Sequence, residues 1–209
     1  MLKDKMSPAL KNRFLEEIKK SGESNKERGF LLCLSDKGHI YPTSTCEGSE
    51  CEIELWPTMI GPGKCTGEIQ GEFHTHPVRN TFIGLVKDVL GFVPKDEDEI
   101  IKKAIIGSLQ DRHKEEGIDM TLQTPSYSDI LSAISVKCAH VTKGTSCIGT
   151  DIEDDKIECW TMKDIPKNDM KEVCKKGTDT LEEAKRTKQE HTIRGWVKPI
   201  FDREVISLK

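Results

Sequence analysis

The chain has 209 residues, of which 35% are hydrophobic and 33% are charged, and its 32 Lys and Arg against 36 Asp and Glu give a net charge of −4. This length fits one domain with elaborations and argues against two full domains. No apolar stretch approaches the roughly 20 residues that span a bilayer, and no dense basic block is available for phosphates. The sequence therefore argues against a membrane protein and against a nucleic-acid partner.

The N-terminal segment predicts a helix and carries no targeting signal. Its first residues, MLKDKMSPAL, lack the apolar run of a secretory signal, so a cytoplasmic location is expected. Ser7 is followed by proline, as at the start of many helices, and Leu10, Phe14 and Ile18 recur at every fourth position. The pattern predicts an amphipathic helix that stops at Gly22.

The next 50 residues have the character of strands. Residues 29–34 (GFLLCL) are apolar enough for a central strand, and the turn sequence DKG separates them from a returning strand at 39–41. Residues 53–56 predict another strand. A Gly/Pro-rich loop then leads to the alternating segment 67–77, which proline ends because it cannot donate to a sheet ladder.

Residues 78–124 interrupt this pattern and are interpreted as an insertion packed on the main body. It contains an apolar piece at 82–93 and a helical pattern from about 96 to 116. Thr124 and Pro125 then open a further helix with the sequence PSYSDILSAI.

The remaining sequence predicts short strands followed by a charged helix. Strand-like pieces occur around 136–142, 145–149 and 156–162, a charged helix runs from about 167 to 189, and a final stretch covers 195–208.

Eight cysteines are many for a chain with no secretory signal, and none of them forms a CxxC pair. Their spacing therefore argues against a zinc finger. Disulfides and free buried thiols both remain open, and the spacing does not predict which cysteines would pair.

The candidate metal ligands begin with the pair His74 and His76. Alternation along an extended segment places both imidazoles on one face, where they can converge on one point. Catalytic zinc sites typically have three protein ligands and keep one position for water. A histidine pair alone does not decide the matter, since it is equally compatible with two solvated or hydrogen-bonded side chains.

A third ligand is offered by the helix that follows the insertion. Ser126 and Asp129 lie three residues apart and therefore share one helix face. The same S-x-x-D spacing is typical of a helix capping box. Here Thr124 already fits the N-cap position, which leaves Ser126 and Asp129 available for another role.

The sequence EFHTHP followed by PSxxD resembles the JAMM (MPN+) family of zinc metalloproteases, in which a glutamate precedes HxHP and SxxD. Glu27, ahead of the apolar run at 29–34, matches that glutamate. The resemblance implies an α/β (α+β) MPN fold, similar to the cytidine-deaminase-like architecture, with a mixed central β-sheet flanked by helices. It also implies a catalytic domain over 1–162, with a helical insertion at 78–124, and a C-terminal extension over 163–209 packed on that domain.

The resemblance further implies roles for individual residues. His74, His76 and Asp129 correspond to the zinc ligands, Glu27 to the general base, and Ser126 to the serine that binds the water or the developing oxyanion. The implied activity is zinc-dependent hydrolysis of amide or isopeptide bonds, with ubiquitin, a ubiquitin-like modifier or a peptide as substrate. The extension after 163 is expected to be a capping element, a homodimer surface or a substrate-binding arm.

One departure from the family concerns spacing. The family places its aspartate shortly after the second histidine, whereas Asp129 follows His76 by 53 residues. The suspected insertion accounts for the extra length, and a loop between two ligands costs little closure entropy if its ends stay adjacent. Asp88 is an alternative third ligand, but Leu85 stands where the family has its serine.

The motif leaves alternatives to an active zinc hydrolase. A non-catalytic MPN module used for assembly is the alternative from another class, and a JAMM peptidase with a different peptide substrate is another. Barrel hydrolases with HxH need more histidine ligands than this chain of six histidines offers. The HExxH motif and the deaminase motifs are absent from the sequence.

Overall fold

The computed structural model describes residues 2–48, 63–78, 99–104, 125, 127–153, 155–187 and 198–209, together with isolated positions between 83 and 96. The helices are α1 (Pro8–Ser24), α2 (Tyr127–Cys138) and α3 (Lys167–Thr187), and the strands are β1 (Arg28–Leu34), β2 (Ile40–Pro42), β3 (Cys46–Glu47), β4 (Glu68–His76), β5 (Thr145–Thr150), β6 (Lys156–Met162) and β7 (Phe201–Ser207). The predicted strand at 53–56 and most of the predicted insertion lie outside these residues.

The described strands form one mixed sheet. Its order is β2-β1-β4-β5-β6-β7, and β3 pairs with β1 beyond the end of β2. Most neighbours are antiparallel, but β4 and β5 run parallel and the chain between them contains α2. A parallel pair requires such a crossover connection, because a tight turn reverses the chain direction and can only join antiparallel strands. The prediction of a mixed α/β chain with a central sheet and flanking helices is thus confirmed.

Helix α1 covers one face of the sheet with aromatic and aliphatic side chains. Ser7 caps it by accepting the backbone N–H of Leu10, as its N-cap position predicts. Phe14 lies with its ring centroid 4.6 Å from that of Phe73 and 5.5 Å from that of Phe30, and all three side chains are fully buried. Burial of one such ring contributes about 1.5–3 kcal/mol, so this layer fixes α1 against β1 and β4.

Helices α2 and α3 lie over the opposite face. Ile130, Leu131 and Ile134 of α2 are buried in a cluster with Trp160 and Phe201 from the sheet. Gly177 allows α3 to approach α2 closely, since a Cβ at this position would lie 2.9 Å from Ile134 Cγ2. The two helices thus form one layer over β5, β6 and β7.

Two predicted element boundaries are wrong. Helix α1 continues past Gly22 to Ser24 and ends where Asn25 adopts a left-handed conformation. Residues 136–142 form no strand, because α2 extends to Cys138 and the chain then turns at His140, which has a φ of 58°. The β-branched and apolar residues of this segment continue the helical phase of α2, so their strand propensity is overridden by packing.

Six cysteines form three disulfides, so the disulfide alternative applies to them. The pairs are Cys33–Cys65, Cys138–Cys174 and Cys147–Cys159. Cys46 is a free thiol, and Cys51 lies outside the described residues.

The described helices include none that is long and apolar enough to cross a membrane. In the region of the predicted insertion, residues 99–104 are helical and Ile101 is buried, which agrees with this part of the predicted helix from 96 to 116.

Candidate metal centre

Strand β4 brings both histidines to one face of the sheet. Along β4, Phe73 and Thr75 point toward α1, so Glu72, His74 and His76 point to the face that α2 covers. The strand is central, between β1 and β5, and His74 is only 5% exposed. The alternation that the sequence predicts is therefore the feature that carries the imidazoles into the interior.

A glycine makes room for His74 on the neighbouring strand. Gly29 of β1 pairs with His74, and a Cβ at Gly29 would lie 2.4 Å from the carbonyl oxygen of Phe73 and 2.9 Å from the Cβ of His74. A side chain at this position would displace β4 or the imidazole. The close approach of the two strands thus depends on glycine.

Glu27 lies at the entrance to β1, two residues before Gly29. Alternation along an extended backbone places its side chain on the face of the sheet that carries His74. Glu27 is 6% exposed, and its charge contributes to raising the pKa of His74. A buried carboxylate within electrostatic reach of His74 is what the predicted general base requires.

Helix α2 supplies the carboxylate of Asp129 from its first turn. His74 Nε2 lies 3.3 Å from Asp129 Oδ1, and His76 Nε2 lies 3.9 Å from Asp129 Oδ2. The two Nε2 atoms are 3.2 Å apart. Donor atoms of the three side chains thus lie within 4.8 Å of one another, and they can hold a metal ion.

The two imidazoles have opposite electrostatic environments. Burial alone would lower the pKa of His74, but the Asp129 carboxylate, together with Glu72 and Glu27, raises it to about 9. Burial, opposed by Asp129 and reinforced by the charge on His74, lowers the pKa of His76 to about 4. With these pKa values His74 is the imidazole that carries an additional proton at neutral pH, and a cation that binds its Nε2 must displace that proton.

The donor separations fit a metal with short bonds. Metal–nitrogen and metal–oxygen bonds of about 2.0–2.2 Å in a tetrahedron separate the ligand atoms by roughly 3.3–3.6 Å. The two Nε2 atoms are 3.2 Å apart and His74 Nε2 is 3.3 Å from Asp129 Oδ1, both close to this range, whereas the 3.9 Å contact of His76 Nε2 is with the other carboxylate oxygen, Oδ2. Two imidazoles and a carboxylate also leave one corner of a tetrahedron open.

Glu72 is a residue that the sequence analysis missed. Burial raises its pKa, and its Oε1 atom lies 3.8 Å from His74 Nδ1, a buried nitrogen that has no hydrogen-bond partner among the described residues. The Ser146 hydroxyl of β5 donates to the same carboxylate at 3.4 Å. A carboxylate behind a ligating histidine commonly orients the ring. The signal was present, since Glu72 is two residues before His74 and shares its face.

The structure brings together most of the residues that the motif singled out. His74, His76 and Asp129 converge, and Glu27 is buried nearby. Ser126 and the alternative pair Asp88 and Leu85 lie outside the described residues.

Comparison with known proteins adds no family. No protein-family model, no curated protein and no solved structure matches this chain. A function for this chain therefore has to be inferred from the geometry of the cluster and from the motif.

Proposed function

We propose that this protein is a zinc-dependent hydrolase of amide or isopeptide bonds, of the JAMM (MPN+) type. The observation that carries the proposal is the convergence of His74, His76 and Asp129 beside the buried Glu27, although Asp129 is distant in the sequence. The three donors and one open corner are the arrangement of a catalytic zinc, as opposed to a closed structural site.

A two-histidine, one-carboxylate set suits zinc and also non-haem iron(II), which keeps further open positions. Two features of the chain favour zinc. Glu27 favours hydrolysis, because a general base is needed to activate water and has no such role in iron-dependent oxygen chemistry. The resemblance of HTHP and SxxD to a zinc protease motif points the same way.

Each residue of the site would have a separate role in hydrolysis. His74, His76 and Asp129 would hold the metal, and Glu72 would fix the orientation of the His74 ring through Nδ1. Zinc, when bound, supplies a Lewis acid that polarises a carbonyl and makes water acidic enough to attack near neutral pH. Glu27 would accept the proton of the attacking water and return it to the departing amine. Ser126 would donate a hydrogen bond to the oxyanion.

The substrate class comes from the resemblance. Ubiquitin, a ubiquitin-like modifier or a short peptide would present an extended C-terminal segment whose amide or isopeptide bond is cut. The fold proposed for the whole catalytic region is accordingly the MPN fold, which is consistent with a mixed sheet covered by α1 on one face and α2 on the other.

Metal analysis combined with a cleavage assay tests this proposal. Wild type, His74→Ala and Glu27→Gln are purified with Zn²⁺, their metal content is measured by mass spectrometry, and cleavage of a ubiquitin-like fusion is followed. His39→Ala is the matched control, because His39 is exposed and lies in the turn before β2. We expect about one zinc per chain in all but His74→Ala, and cleavage only in wild type and His39→Ala.

Different results separate the alternatives. A wild type that takes up no zinc would remove the proposal. Iron in place of zinc would move the site to the oxygenase class. Zinc in wild type without cleavage of any ubiquitin-like or peptide substrate would favour the non-catalytic assembly module.

A further inference from the structure

A chain of buried hydroxyl groups links the histidine strand to the segment that carries Glu27. Thr75 lies between the two histidines, on the opposite face of β4. Its Oγ1 accepts the backbone N–H of Arg28 at 2.9 Å and donates to Ser21 Oγ at 2.7 Å. Ser21 in turn donates to the carbonyl of Lys26 at 2.7 Å. Thr75 and Ser21 are both completely buried, so no water competes for these bonds.

The two ends of this chain lie on either side of Glu27. Arg28 follows it and Lys26 precedes it, so the peptide groups flanking Glu27 are both held by the hydroxyl chain. The two histidines are held differently, because the β4–β5 ladder pairs His74 with Ile148 and His76 with Thr150. Glu27 precedes the first ladder residue of β1, and its carbonyl accepts the N–H of Gly48 at 2.9 Å.

A second set of contacts restrains the same segment through a side chain. The Arg28 guanidinium donates to the fully buried Glu17 of α1 at 2.7 Å and also contacts Glu47 of β3. Glu17 is in addition 2.9 Å from the guanidinium of Arg13. These ion pairs fix where the chain passes from α1 to β1. The hydroxyl chain then fixes how the backbone around Glu27 is turned relative to β4.

We propose that Thr75 and Ser21 are positioning residues that hold Glu27 at the metal centre. This inference rests on the proposed function, in which Glu27 is the general base. A misplacement of about 1 Å in a reacting group can cost about 100-fold in rate. Thr75 connects the two elements most directly, since it shares β4 with the metal ligands and bonds the residue next to the base.

The test compares Thr75→Val, which keeps the side-chain shape without the hydroxyl, with Thr75→Ser, which keeps the hydroxyl. Thr145→Val is the matched control, because Thr145 is 2% exposed and its hydroxyl bonds that of Thr161 at 3.1 Å, away from the histidines. Cleavage kinetics and Zn²⁺ affinity are measured for each. We expect kcat to fall about 10- to 100-fold in Thr75→Val, with KM and Zn²⁺ affinity changed less than about threefold.

Thr75→Ser should restore at least half of the wild-type kcat, and Thr145→Val should keep it. Ser21→Ala interrupts the same hydroxyl chain, so it should lower kcat as Thr75→Val does. Because Ser21 and Thr75 act in one chain, the double variant Ser21→Ala with Thr75→Val should lose much less than the product of the two single losses.

A readout without substrate separates this inference from the proposed function. Each variant is loaded with Co²⁺ alone and its visible absorption is recorded. Glu27→Gln removes a charge next to the ion and should therefore change the Co²⁺ spectrum. Thr75→Val should change the spectrum in the same way, because it moves that charge. The double variant should give the same spectrum as Glu27→Gln alone.

The outcomes are distinguishable. A Thr75→Val spectrum and kcat equal to those of wild type would overturn the positioning role and leave the proposed function standing. A Glu27→Gln spectrum equal to that of wild type would also overturn it, because Glu27 would then not face the ion. If wild type cleaves nothing, the Co²⁺ spectra still decide the positioning role, and the missing cleavage counts against the proposed function alone.

Discussion

The two faces of β4 show how one strand can serve a core and a site at once. Toward α1, Phe73 is packed among Phe14 and Phe30 with no exposed surface. Toward α2, His74 is buried and Glu72 is half-buried, and both are surrounded by charged and polar groups. Burying such groups costs free energy unless they find partners. The apolar face therefore stabilises the fold, while the polar face depends on the counter-charge that Asp129 of α2 supplies.

The largest effect is expected from Phe73→Ala on the apolar face. Removing a buried aromatic ring costs about 3–5 kcal/mol, which lowers the melting temperature of a chain of this size by roughly 10 °C. Calorimetry with and without Zn²⁺ measures it. The fraction that is folded should still bind Zn²⁺.

His74→Ala is the counterpart of Phe73→Ala on the other face of the same strand. Added Zn²⁺ at 100 times the wild-type Kd should stabilise wild type by about 2.7 kcal/mol and leave His74→Ala unchanged. Equal stabilisation of both would show that Zn²⁺ binds elsewhere.

Removing the disulfide between α2 and α3 is expected to have an effect comparable to that of Phe73→Ala. Cys138 and Cys174 close a sequence separation of 36 residues, so replacing both with serine should lower the free energy of unfolding by about 4 kcal/mol. Denaturant titration measures this change. Asp129 lies at the other end of α2, so Zn²⁺ affinity of the folded protein should change less than about tenfold. A complete loss of binding would mean that the disulfide itself positions Asp129.

Asp129→Asn tests the helix side of the polar face. An amide has no net charge and binds zinc poorly, so the affinity should fall by more than about 100-fold, beyond what outer-shell changes cost. Competition with a chromophoric chelator measures it. Asp164→Asn is the control, since the Asp164 side chain is 99% exposed. An affinity in Asp129→Asn within tenfold of wild type would assign the third ligand to another residue.

The smallest effect is expected from Glu72→Gln. The amide keeps the shape but loses the charge behind His74 Nδ1, so Zn²⁺ affinity should fall about 10-fold. The same chelator assay applies, with Glu68→Gln as control, because Glu68 is exposed at the other end of β4. Unchanged affinity would limit Glu72 to a packing role.

The sequence predicted the parts of this molecule that depend on local periodicity. Alternation in β4 predicts that the two histidines share one face. The recurrence of Leu10, Phe14 and Ile18 at every fourth residue predicts the buried side of α1. The convergence of Asp129 could not come from periodicity, because it depends on how α2 crosses the sheet. The S-x-x-D spacing makes Asp129 a candidate, and the resemblance to a known motif joins it to the two histidines.

The sequence was less informative where packing overrides propensity. Val136 favours a strand but continues α2, where the next residue, Lys137, donates to the carbonyl oxygens of Met162 and Lys163. The Thr75 hydroxyl chain was also invisible, because a threonine between two histidines has many roles and only its partners in space distinguish them.

The proposed metal centre holds one cation between two imidazoles and a carboxylate. Zinc K-edge X-ray absorption of the wild-type protein loaded with one equivalent of Zn²⁺ observes those ligands without any substrate. We expect only nitrogen and oxygen neighbours at about 2.0–2.1 Å, with the scattering pattern of two imidazoles. A sulfur neighbour at about 2.3 Å, or a spectrum that is unchanged in His74→Ala, would rule this centre out.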